Sequence, residues 1–280
     1  MQPPITCLYF FWKHSFSTSN TNLVMATNAA KFYLKEIREK SVGYRPNWEP
    51  NKPLRIGDVG ILEDDVFTVM GSLEKMGIPM EVRVDDKAGE VWDLSSENGV
   101  EVKTKAKGKM DPATPALNEM EAGFNVEFKK EKSILFRING YKSHLIENLM
   151  SISKEIKKQY ENGDWDEDWV VINELIEADS ATIMMSSEGG VSVGLKAKAD
   201  VGLEKLDIAD ANLELGVDSR GKLALSIVGK EGITPLFRAV GIKKSFFGLG
   251  KASVKSRDLG SLLGGDEEEE QEEENPFEEI

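Results

Sequence analysis

Residues that could act as nucleophiles, metal ligands or proton shuttles are sparse in this chain. Among 280 residues there is one cysteine, Cys7, and there are two histidines, His14 and His144. A Cys/His zinc site needs three or four such ligands, so composition nearly excludes one. A Cys–His nucleophilic pair would have to use Cys7, in the extreme N-terminal segment, a poor place to hold one rigidly. None of the 49 acidic residues stands out as half of a catalytic carboxylate pair. With no convergent set of catalytic types and no cofactor motif, the chain reads as a non-enzyme.

What the spacing does encode is one long alternating strand. From Val191 to Leu203 (VSVGLKAKADVGL) the odd positions are Val191, Val193, Leu195, Ala197, Ala199, Val201 and Leu203. The even positions are Ser192, Gly194, Lys196, Lys198, Asp200 and Gly202. A period of two predicts a strand with one apolar and one wet face. Thirteen residues is long beside the usual strand of about 5–6. A tilted strand of about 9–11 residues crosses a bilayer. Two readings stand side by side: a long edge of a soluble sheet, or a strand able to exchange water for lipid.

The charge is unevenly placed. Residues 266–280 (DEEEEQEEENPFEEI) hold ten acids and no base, so without them the net charge falls from −14 to −4. A mildly acidic body makes nucleic acid a poor partner, because binding it takes a concentrated basic face. Residues 243–257 carry Lys243, Lys244, Lys251, Lys255 and Arg257 with no acid, interleaved with Phe246, Phe247 and Leu249. Basic plus aromatic side chains suit an anionic surface such as a headgroup layer. The acidic tail either folds back to mask that patch or stays solvated and disordered. One cysteine fits a reducing cytoplasm, and no run of eighteen apolar residues predicts a membrane-spanning helix.

The elements that must position these residues are mostly strands. Residues 1–27 are expected to be an unstructured or upstream extension, with Met25 a natural start and Cys7, among aromatics, a candidate lipid-anchor site. A helix is expected over 28–40 with Asn28 as N-cap. Pro46, Pro50 and Pro53 then force an extended, turning segment that Trp48 anchors on the core. Strands are predicted at 55–62, 80–86, 100–107, 124–128 and 133–138, with a short helix or irregular segment at 64–79. The clearest helix is 143–160, capped by Ser143 and striped by Leu145, Leu149, Ile152, Ile156 and Tyr160. Further strands are expected at 169–176, 181–185, 223–228 and 233–242, with 181–185 pairing across SSEGG into Val191–Leu203. Without a βαβ rhythm, the class is α+β: a twisted, mainly antiparallel sheet with long hairpins and a few flanking helices. The domain spans 28–244, followed by a basic/aromatic linker at 245–265 and the acidic tail at 266–280.

In this order the chain resembles the gasdermin pore-forming domain, particularly its compact prokaryotic members. WVVINELI (169–176) with the alternating strand after it, EGITPLFRAVGIKK (231–244), and the N-terminal helix leading to PLRIGDVGIL carry the resemblance. It implies a protein held inactive in the cytoplasm until a C-terminal element is removed, usually by a protease. The freed domain would bind acidic phospholipid, self-associate and extend hairpins from about 99–129 and 181–228 into a membrane barrel. The odd residues of Val191–Leu203 would then face lipid, and Lys196, Lys198 and Asp200 the lumen. Lys103, Lys105, Lys107, Lys243 and Lys244 would meet headgroups, and Cys7 is the one residue able to serve as the acylated cysteine typical of prokaryotic members. The alternative expectation is a soluble, non-enzymatic binding module of the same fold whose acidic tail contacts a basic protein.

Overall fold

The structure, a computed structural model, describes residues 19–106, 122–198, 206–216, 222–242 and 277–279. The first element is helix α1 (Ser19–Lys40). It starts upstream of Asn28 because nothing between 19 and 28 is Gly or Pro, so no breaker forces the helix to begin at that cap. Its buried stripe is Ala30, Tyr33, Leu34 and Ile37, the i, i+3, i+4, i+7 face. The prolines follow, and the two-residue strand β1 (Arg45–Pro46) lies where a residue lacking N–H is tolerated, at a sheet edge. Trp48 packs on Tyr33 with ring centroids 5.5 Å apart.

Strand β2 (Asp58–Glu63) turns straight into β3 (Val66–Ser72). The helical or irregular reading of 64–79 is therefore corrected over 66–72. Asp64 and Asp65 both take positive φ, which fits the tight two-residue hairpin turn, and VFTVM supplies strand formers on its far side. Strand β4 (Val82–Asp93) is exposed along almost its whole length. Arg83, Asp85, Asp86, Lys87, Glu90 and Asp93, with a register shift between Lys87 and Val91, blunt this edge against pairing with other chains.

Next come β5 (Val100–Lys105), β6 (Gly123–Phe128) and β7 (Ile134–Ile146). β7 runs past Asn139-Gly140 and absorbs the start of the expected helix. Ser143, His144 and Leu145 are paired to Ile176, Leu175 and Glu174, so Ser143 caps nothing. Helix α2 is Leu149–Asn162, with Asn148 at its N-cap and Gly163, in the left-handed region, at its end. β8 (Val170–Ser186) is one strand of 17 residues where two were expected.

The chain continues through β9 (Val191–Ala197), β10 (Leu213–Leu215), β11 (Leu223–Lys230), β12 (Leu236–Ile242) and β13 (Phe277–Glu279). Among the described residues all pairings are antiparallel, and they make two sheets. The first has nine strands and runs β1-β12-β8-β2-β3. Along β8 it also gains β7 and β11, with β4 on β7 and β13 on β12. The second runs β10-β9-β6-β5. The molecule is thus an α+β protein with a mainly antiparallel sheet architecture. α1 covers one part of the first sheet through Tyr33, Ile37, Phe136, Ile138 and Ile183. α2 covers another through Ile152 and Ile156 against Val59, Val171 and Val240.

Candidate functional site

The second sheet holds the described part of the alternating stretch. β6 is central: Phe124, Val126 and Phe128 pair with Leu195, Val193 and Val191 on one side and with Thr104, Val102 and Val100 on the other. β10 extends the sheet through Leu213 and Leu215, opposite Ala197 and Leu195. The approach of β6 to β9 is close at Gly123, where a Cβ would lie 1.9 Å from the Leu195 carbonyl oxygen. Only glycine fits there.

The expected pairing of 181–185 with Val191–Leu203 is not made. β8 stays in the first sheet, where Ala181–Ser186 pair with β7 and β11. Residues 186–190 carry the chain across to the second sheet. The Lys132 N–H donates to the Ser186 carbonyl at 3.2 Å and the Gly190 N–H to that of Phe128 at 2.7 Å. β9 itself spans seven residues, ending at Ala197. Ala199, Val201 and Leu203 lie outside the described residues.

The odd positions do share a face, and that face is interior. Val193 and Leu195 are fully buried, Val191 nearly so, and Ala197 half-buried. They pack with Phe124, Val126 and Phe128 against Leu135 and Met184 of the first sheet, with Leu206, Ile208 and Leu213 filling in. Burying side chains of this size is worth about 1.5–3 kcal/mol each, so in this conformation the apolar face is spent on the core. It reaches water most at the β5 margin, where Val102 is 41% exposed, and partly at Ala197 and Leu215.

The other face is polar and its charges are matched. Lys103 Nζ sits 3.3 Å from both Glu101 and Glu127, and Lys129 lies 2.8 Å from Glu101. The bonds from Lys129 and Lys103 lower the Glu101 carboxyl, and those to Glu127 and Glu101 raise the Lys103 ammonium. Lys196 pairs with Glu214 at 3.1 Å, and Ser192 Oγ donates to Asn125 Oδ1 at 2.9 Å. Lys105 is buried at 3% exposure, so in this conformation it presents no ammonium to a membrane. Lys107, Lys243, Lys244 and Cys7 lie outside the described residues.

Three groups that no local pattern pointed to tie distant segments together, and the first of them holds this sheet to the other. Arg137 of β7 donates from Nε and Nη2 to the Asp207 carboxylate and from Nη1 to Asp93. The partners are 70 and 44 residues away in sequence, and neither neighbourhood carries a motif. Arg238, in the LFRAV segment, ties strands of the first sheet. It lies 3.4 Å from Glu174 of β8 and stacks 4.3 Å above the Tyr44 ring. The Tyr44 hydroxyl donates to the same carboxylate. Burial, and then that bond to Glu174, push the phenol well above its ordinary range.

Within the acidic tail, residues 277–279 form β13. Phe277, Glu278 and Glu279 pair with Ile242, Gly241 and Val240 along the same edge of β12 that receives β1. Among the described residues, no group of three His, Cys, Asp or Glu could hold a metal ion, and no helix is long and apolar enough to cross a membrane. Compared with known proteins, the chain matches no family model and no curated protein.

Proposed function

We propose that this protein is a pore-former in its closed state, of the gasdermin kind, whose β5–β6 and β9–β10 hairpins leave the second sheet to line a membrane barrel. The observation that carries this reading is the second sheet itself. It places two antiparallel hairpins side by side through β6 and β9, each with an alternating apolar and polar face. Such alternation is what a barrel wall needs, with Leu195 and Val193 toward lipid and Lys196 toward water.

β9 and β10, at seven and three residues, are shorter than the roughly 9–11 needed to span a bilayer. Insertion would therefore recruit the connecting residues 106–122 and 198–212 into longer strands. Small residues such as Ala197 and Gly194 contribute little apolar transfer energy, so the barrel would depend on strand pairing between copies. The β13–β12 pairing supports a restraint by the C-terminal segment, released when that segment is removed, for example by a protease. In this reading the protein waits in the cytoplasm and moves to acidic phospholipid on activation.

The test is dye release from vesicles containing an acidic phospholipid, using the full chain and a chain ending at Lys244. Leakage by the shortened chain and not by the full one is expected. If neither leaks while the shortened chain keeps its strand circular dichroism, the pore reading fails.

A further inference from the structure

We infer that Arg137 is a clasp whose guanidinium, shared between Asp207 and Asp93, holds the 206–212 turn, and with it the second sheet, onto the first. Arg137 stands two residues from Leu135 on β7 and shares its face, so it projects toward the second sheet, at the rim of the shared core. Its fork meets Asp207 in two bonds, Nε to Oδ1 at 3.0 Å and Nη2 to Oδ2 at 2.7 Å. Nη1 reaches Asp93 Oδ2 at 2.9 Å, which fixes the guanidinium from the β4 side.

The Asp207 carboxylate also folds the connection it belongs to. Its Oδ1 accepts the Ala209 N–H at 2.9 Å, and its carbonyl accepts the Asp210 N–H at 3.0 Å. Asp210 Oδ1 in turn accepts the Asn212 N–H at 2.8 Å. Lys198, just past β9, closes the far end by donating its N–H to the Asn212 carbonyl and its Nζ to that of Ala211, each at 2.7 Å. One anion thus orders the turn and docks it.

Leu206 and Ile208, on either side of Asp207, are buried in the core between the sheets. The apolar plug and the ionic clasp therefore engage together. β11 backs the turn closely: a Cβ at Gly229 would lie 2.5 Å from the Asp210 carbonyl oxygen. With side chains 28% and 23% exposed, Arg137 and Asp207 are shielded enough for a two-bond pair to outweigh an ordinary surface pair. Release of the clasp frees residues 206–216 and the β10 margin of the second sheet first, while the β7–β8 ladder stays closed. This device is independent of whether the sheet ever enters a bilayer.

The experiment is hydrogen–deuterium exchange of the full chain, read by mass spectrometry, for wild type, Asp207→Asn and Arg137→Lys. Asp207→Asn keeps an oxygen for the Ala209 N–H but removes the charge. Arg137→Lys keeps the charge but loses the fork. In both, exchange over 206–216 and β9 is expected to rise about tenfold with β7 and β8 unchanged. No rise over 206–216 overturns the clasp. So does an equal rise across β7, β8 and 206–216, since the pair would then act on global stability alone. If Arg137→Lys does not fold, Asp207→Asn decides. Vesicle leakage by the same proteins bears only on the pore reading and leaves the exchange result standing.

Discussion

The two sheets are built from similar residues but held in different ways. In the first, β8 has partners along both edges, β12 and β11 on one side and β2 and β7 on the other. Nearly every residue of β8 is buried, with α1 and α2 covering the sheet. In the second, no described strand exceeds seven residues, one face is polar, and the attachment is one apolar face plus the Arg137 rim. A sheet gripped from every side opens only with the whole protein, whereas one gripped on a single face can open alone. The asymmetry is one of attachment: two sheets of similar composition, one held along β8 on both edges and one through a single apolar face.

The comparison is broken most severely at the first sheet. Phe136 is fully buried between α1 and β8. Phe136→Ala is expected to cost about 3–5 kcal/mol, seen as a lower urea midpoint, with both sheets unfolding together. The opposite pattern is expected from Gly123→Val, whose side chain would drive β6 away from the Leu195 carbonyl. Overpacking of this kind costs on the order of 1–3 kcal/mol. Exchange protection should vanish at Phe124, Val126, Val193 and Leu195 and persist in β8; loss in β8 as well would erase the distinction between the sheets.

The smallest effect concerns acid. Burial works to raise the Asp93 carboxyl, but bonds from Ser95 and from Arg137 more than offset it, and the group ends below its ordinary value. Because the folded value lies under the unfolded one of about 3.9, its contribution is present above that pH and lost as pH falls through the folded value. Asp93 is half-exposed, so the contribution stays below about 1 kcal/mol. Asp93→Asn should lower stability at neutrality by less than about 1 kcal/mol, and the difference from wild type should vanish as pH falls below the folded value, as thermal melts across that range would show.

Several elements were legible because their cause is local. Alternation marked 124–128 and the part of Val191–Leu203 that forms β9, and the Ile152–Ile156 stripe marked α2. Errors arose where two local rules competed. Ser143 looks like a cap and Leu145 like a helix stripe, yet both fit β7 equally well, and the ladder with β8 decides. Phe67, Met70 and Leu73 have helix-like spacing, but Asp64 and Asp65 in left-handed backbone fold the segment back as a hairpin. Of the candidate site, the apolar face of β9 was legible and its environment was not. The Arg137–Asp207 pair spans 70 residues, a separation that no periodicity reports.

By itself the sequence determined which side chains share a face, because in a strand that depends only on odd and even position. It also determined the charge segregation and the poverty of catalytic types. Tertiary structure decided what each face meets. Val191, Val193 and Leu195 could satisfy a lipid, a partner or a core equally well. Here they meet Leu135 and Met184, because β8 is claimed in full by β7, β11, β12 and β2, and β9 finds its neighbours in β6 and β10. Partner choice is a contest among distant segments for the same backbone edges, and its outcome is absent from any window of the chain.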